Sequence, residues 1–140
     1  MGGPPSSSPG SRPGRRSGLL LQVEAALCFI PASMALRVAP PPRVTKVPGA
    51  PPELFGVTLY EGVVVPVVAI GSARREMVVC QHAGELIGLI GGQVVLSGSF
   101  EAVAGRRDRV LHEGQPAQLL DLTAIYGGVL ASARPGRWAR

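Results

Sequence analysis

Few side chains in this 140-residue chain could carry acid–base, nucleophilic or metal chemistry, and they are scattered. The two histidines, His82 and His112, fall in a turn and a polar stretch. Neither has a carboxylate or cysteine at ligand spacing, so a zinc site or a general base would lack its partners. Cys28 and Cys80 are the only cysteines and lie in apolar runs without C-x-x-C spacing. They read as core thiols of a reduced, cytosolic protein. Asp121 stands alone among apolar residues, which suits a cap or turn better than acid catalysis, since the latter needs a second group. Arg106-Arg107-Asp108-Arg109 follows Gly105 but lacks the spacing of a phosphate-binding P-loop. No nucleophile elbow, Walker motif or dinucleotide fingerprint is present. The residues therefore predict no enzyme, no metal and no cofactor.

The charge is unevenly distributed. The net charge is +5, but residues 1–18 and 129–140 each carry three arginines and no acid. Residues 19–128 hold eight basic and nine acidic side chains. A nucleic-acid surface on the folded part would need clustered Lys and Arg there. A β-barrel that binds nucleic acid through basic tails is the alternative this composition leaves. Residues 1–18 contain 14 Gly, Pro or Ser, and residues 129–140 are also basic and turn-rich. Both read as disordered tails flanking one domain at 19–128. Gln22 and Glu24 interrupt the apolar stretch after Arg15-Arg16, which argues against a signal peptide. No run reaches the ~18 apolar residues of a membrane span.

The elements that would hold any site are short. Nineteen Gly and 14 Pro favour strands and turns over long helices. Leu21, Val23 and Ala25 alternate with polar residues, as in a half-buried strand. Leu27–Ile30 reads as a second strand. Pro31–Val38 reads as a short helical piece, with Ile30, Met34 and Val38 spaced for one face. The region 44–70 dominates the chain: a turn at Pro48-Gly49-Ala50-Pro51-Pro52, a helical turn at Glu53-Leu54-Phe55, then a Val-rich run broken at Glu61-Gly62. That break reads as a hairpin tip, since Gly accepts positive φ. Met77–Gln81 and Glu85–Ile90 form a second hairpin around Gly84, and Val94–Leu96 continues as strand. Residues 98–112 read as a polar loop, Gln118–Leu122 as a last strand, and Thr123–Tyr126 as a helical turn stopped by Gly127-Gly128. Val65, Val67, Val79, Leu86, Leu89 and Leu120 are the expected core.

The order Val44-x-x-Val47-Pro48-Gly49-Ala50-Pro51, a short turn, Gly56-Val57, a Gly hairpin tip and Val64-Val65-Pro66-Val67-Val68 resembles the CheW family of chemosensory coupling proteins. The similarity extends more weakly over about 110 residues. It implies an all-β fold of two small five-stranded SH3-like barrels packed together, with short helical turns. The first lobe would centre on residues 30–70 and the second on 77–126. It implies a non-catalytic adaptor that couples a CheA-type histidine kinase to the cytoplasmic tip of a methyl-accepting chemoreceptor. Such a protein would be cytoplasmic, associated with receptor arrays, and would take no small-molecule substrate, nucleic acid or direct membrane insertion. The receptor groove of the family maps onto Arg37, Val38, Gly56, Val57, Glu61 and Gly62. Here Leu59 replaces the family's Asn, Glu61 its Arg, and Ala69 and Gly92 two of its Asp residues. Arg37 replaces an acid. With both signs reversed, Arg37 and Glu61 are expected to face each other within about 4 Å.

Overall fold

A computed structural model describes residues 14–52 and 54–132. The chain folds as ten strands and one helix in two sheets. Strands β1 (Arg15–Val23), β2 (Ala26–Pro31), β8 (Gln93–Val103), β9 (Arg106–His112) and β10 (Gln115–Leu119) close into a barrel of order β1-β2-β10-β9-β8. Strands β3 (Ala35–Ala39), β4 (Gly56–Tyr60), β5 (Val63–Ala69), β6 (Met77–His82) and β7 (Glu85–Ile90) form a second sheet, β3-β6-β7-β5-β4. Although only the first closes into a barrel and the second remains an open sheet, the all-β architecture of two packed five-stranded units is as expected. The division of the chain is not. The second sheet is one continuous stretch inserted between the two halves of the barrel. The 77–90 hairpin belongs with residues 35–69, because β7 pairs in parallel with β5 (Val67↔Gly88) and β6 pairs with β3 (Val38↔Val78).

The apolar runs are explained by burial on two faces. In β1, Leu20 points into the barrel with Phe29, Phe100, Val110 and Ala117. Its neighbours Leu19 and Leu21 point the other way, into a core shared with the second sheet. That shared core also takes Cys28 and Ile30 from β2, Val68 from β5, Val78 and Cys80 from β6, and Ile87 and Leu89 from β7. The outer interior of the second sheet holds Val67, Met77, Val79 and Ile90. Successive side chains of a strand alternate faces, so a strand lined on both sides reads as an unbroken apolar run. Of the expected core, Val65, Val67, Val79 and Leu89 are buried, whereas Leu86 and Leu120 are half-buried at its edge.

Four local expectations need correction. Pro31–Val38 is not helical. A turn closed by Met34 N–H to Pro31 O leads straight into β3, whose register against β6 outweighs the weak helical spacing. Residues 98–112 are not a loop but the β8–β9 hairpin, polar because only Phe100 and Val110 need to face inward. Strand β1 starts at Arg15, so the domain boundary expected at residue 19 moves earlier: Arg15 and Arg16 pair with Glu101 and Phe100 of β8. Finally, α1 (Leu122–Ser132) runs past Gly127-Gly128 instead of ending as a single turn. Asp121 Oδ1 accepts Ala124 N–H at 3.0 Å, an N-cap. Leu122 and Tyr126, four residues apart, anchor the helix in the shared core. Of the tails expected at 1–18 and 129–140, residues 1–13 and 133–140, with Trp138, lie outside the described residues, as does Glu53 of the expected helical turn, and α1 takes in 129–132. Leu54 enters the shared core after a turn closed by its N–H to Pro51 O.

Glycines permit two close approaches inside this framework. A Cβ on Gly18 would lie 2.3 Å from Ile30 O and 2.5 Å from the Phe29 ring. One on Gly88 would lie 2.5 Å from Met77 Sδ.

Two predictions follow from the burial. Val67→Asp places an unpaired charge at a fully buried position, at a cost of several kcal/mol out of a typical stability of ~5–15 kcal/mol; its thermal melt should show a lost or sharply lowered transition. Burial also pushes the Cys80 thiol from 9.0 up to about 12. The unfolded chain releases that proton first, so the contribution of Cys80 is complete below pH 9.0 and is lost as pH rises toward about 12. Urea melts across that window should show falling stability, with a shallower fall in Cys80→Ala after allowance for its lower starting stability.

Candidate docking groove

The second sheet does not close on itself. Its edges, β3 and β4, flank a groove of about 720 Å³ lined by residues 37–43, Thr45, Val57–Glu61, Val64 and Met77. Beyond Ala39, Pro40-Pro41-Pro42 carries the chain along this opening. Proline has no N–H, so this run offers no donor row for another strand. The chain then hems the β4 edge. Thr45 exchanges two backbone hydrogen bonds with Val57, at 2.8 and 2.9 Å, and the buried Thr58 hydroxyl donates to Arg43 O at 2.9 Å.

Arg37 and Glu61 join the two edges at the mouth. Arg37 Nη1 lies 2.8 Å from Glu61 Oε2, as the paired charge reversal predicted. The Tyr60 hydroxyl, and then the Glu61 carboxylate, hold the Arg37 guanidinium above its ordinary value. The two side chains are 61% and 64% exposed, so solvent screens the pair and it contributes little to folding. Its effect is to fix the position of a cation and an anion at the groove mouth. Glu61 occupies a left-handed conformation (φ 49°), followed by Gly62 (φ 82°), which makes the two-residue hairpin tip.

The walls are apolar and open to solvent. Val38 is 40% exposed, Leu59 71% and Val64 65%. A second groove, of about 630 Å³, runs between the two sheets beside Gly18, Leu36, Val94 and Gly98. Arg37 and Val38 border both grooves.

The six residues singled out from the sequence divide accordingly. Arg37, Val38, Val57 and Glu61 line the β3–β4 groove. Gly62 shapes the turn beside it. Gly56 is buried under Val44 and Thr45 and presents nothing to a partner. Only Arg37 and Val38 reach the groove between the sheets. Leu59, Val64 and the proline run were missed as lining residues. In the sequence Leu59 and Val64 read as part of the apolar run around Glu61-Gly62, and the face a side chain takes depends on the sheet that covers it.

The residues with chemical potential are held elsewhere. His82 packs against the Tyr126 ring at 5.3 Å and His112 against Phe100 at 5.6 Å. Both cysteines are free and buried. Among the described residues, no group of three or more His, Cys, Asp and Glu could hold a metal ion.

The CheW-like domain family matches residues 17–127. That is most of the chain, and the chain belongs to this family. The crystal structure of the scaffolding protein TtCheW from Thermoanaerobacter tengcongensis is similar in fold, with a TM-score of 0.65 at 14% identity over 79% of this chain and 92% of that one. No curated protein matches the sequence.

Gly56 offers a direct test of how the groove is built. A Cβ there would sit 2.4 Å from Val44 Cγ1 and 2.6 Å from Thr45 O. Gly56→Ala should destabilise by ~1–3 kcal/mol. It should also speed amide exchange at Thr45 and Val57 ahead of the rest of the sheet, measurable by hydrogen exchange.

Proposed function

We propose that this protein is a non-catalytic coupling scaffold of a chemosensory complex, holding a CheA-type histidine kinase beside the cytoplasmic tip of a chemoreceptor. Membership of the CheW-like family supports the class. The observation that carries the reading to a site is the solvent-exposed apolar wall of Val38, Leu59 and Val64, set on a two-sheet body with a shared core. Coupling by scaffold needs that combination: docking surfaces whose separation is fixed by packing, and no reacting group between them. Exposed apolar side chains rimmed by charge are the usual composition of a protein-binding face. The Arg37–Glu61 pair sets partner choice at the rim. A partner that presents an acid toward Glu61 is repelled, and one that presents a base there is accepted. The site of action is the cytoplasm, at receptor arrays. No helix among the described residues is long and apolar enough to cross a membrane, so membrane proximity would come through the receptor.

The test is a pull-down from native cell extract with the tagged chain, followed by titration with the purified kinase regulatory domain and receptor tip. A histidine kinase and a chemoreceptor should be recovered. Leu59→Glu, which changes a side chain that is 71% exposed, should keep the wild-type melting temperature yet weaken at least one partner about tenfold or more. Recovery of neither protein by a folded wild-type chain would overturn the reading.

A further inference from the structure

The barrel carries a further concavity at the turn between β8 and β9, and its chemistry differs from that of the grooves. Arg16, Ala102, Val103, Gly105, Arg106 and Arg107 enclose about 600 Å³ there. Arg16 is half-buried, with its guanidinium 5.2 Å from the centre of the Phe29 ring, and donates through Nη1 to Arg107 O at 2.7 Å. The ring contact and hydrogen bond fix this guanidinium across the barrel end and leave it further donors. Arg106 is fixed too: its Nε and Nη2 donate to the two carboxylate oxygens of Asp108 at 3.2 and 3.1 Å. Asp108 is shared, since Arg109 Nε lies 3.8 Å from its Oδ1. Among the described residues, neither Arg16 nor Arg107 has a carboxylate at salt-bridge distance. Glu101, on the neighbouring strand, pairs in register with Arg15, whose side chain instead donates to Ser99. The corner therefore has more guanidinium charge than its one acid neutralises.

We propose that this corner binds a phosphate-bearing ligand through Arg16, Arg106 and Arg107. A guanidinium fork matches the oxygens of a phosphate in bidentate fashion, and the anion supplies the charge that Arg16 and Arg107 lack. Small residues, Ala102 and Gly105, leave room for the anion to approach between them. Arg16, Arg106 and Arg107 meet at one hairpin corner, and the bases outside the corner, such as Arg37 and Arg75, do not line this concavity. That geometry suits a compact phosphate group better than a nucleic-acid backbone, which needs an extended basic track. The phosphate can come from a soluble ester or from a lipid headgroup.

The test uses the full chain at constant ionic strength, with inorganic pyrophosphate in calorimetry and vesicles of phosphatidic acid in neutral lipid in sedimentation. Arg107→Ala is the informative variant, because Arg107 is exposed and its link to Arg16 runs through the backbone; a melt confirms its fold. Arg75→Ala, an exposed arginine outside this concavity, is the control. Binding of either probe is expected to weaken about tenfold in Arg107→Ala, to persist in part in Arg107→Lys, and to stay unchanged in Arg75→Ala. Pyrophosphate binding identifies a soluble source, and binding of vesicles alone a headgroup. The proposal fails if neither probe binds, or if Arg75→Ala weakens binding as much as Arg107→Ala. It also fails if an oligonucleotide binds equally to wild type and Arg107→Ala while pyrophosphate does not.

Discussion

The fold depends on a layer of side chains that belongs to both sheets at once. Leu19 and Leu21 of the barrel meet Val78, Cys80, Ile87 and Leu89 of the second sheet, and Leu122 and Tyr126 of the helix cover them. The barrel's own interior is small, with Leu20, Phe29, Phe100, Val110 and Ala117 as its buried side chains. At ~1.5–3 kcal/mol for each large side chain, that interior offsets only part of the ordering entropy of its strands, at ~1–2 kcal/mol per residue. The shared layer supplies the remaining burial. Polar ties reinforce the joint: Glu24 in the β1–β2 turn accepts Ser72 N–H, Glu76 accepts Val94 N–H, and the Tyr126 hydroxyl donates to Glu85 O. Burial raises the Tyr126 hydroxyl pKa, so this group stays protonated and able to donate.

This sharing determines what the surface can do. Because β3, β5, β6 and β7 are fixed against the barrel, the edges β3 and β4 stay apart and a groove remains between them. An open sheet edge invites unwanted strand pairing. Here the Pro40–Pro42 run and the Thr45–Val57 bridge limit that pairing, and Arg37 and Glu61 place charges across the mouth. The groove keeps exposed apolar walls while its edges resist another strand. The proposed scaffold role calls for a rigid body with a defined docking face, and the side chains with chemical potential lie outside this groove. The cysteines are in the core, and each histidine lies against an aromatic ring.

Much of this was legible in the residues. The Val-rich runs around Glu61-Gly62 and Ala83-Gly84 specified hairpins, because both tips adopt the left-handed backbone that such two-residue turns require. Glu113-Gly114 carries the same signature, with φ of 51° and 80°, and would have revealed the β9–β10 hairpin. The matched sign reversal at Arg37 and Glu61 identified a contact 24 positions apart in sequence. A pair of opposite charges is legible in this way because each sign constrains the other.

Other features needed the tertiary structure. Residues 98–112 look like a loop because a strand on a solvent-facing barrel wall needs few apolar positions, and here Phe100 and Val110 suffice. Ala35–Ala39 is a strand only because the β6 edge pairs with it. Gly127-Gly128 did not stop α1, which runs on to Ser132, because a glycine costs a helix interior only about 1 kcal/mol. The sequence by itself determined the strand-rich class, the turns and the paired charges, all of which rest on local backbone preference or simple complementarity. Which strands share a sheet, where the β3–β4 edge stays open, and which apolar residues are left facing solvent were decided by long-range packing, because a side chain's face depends on the sheet that finally covers it.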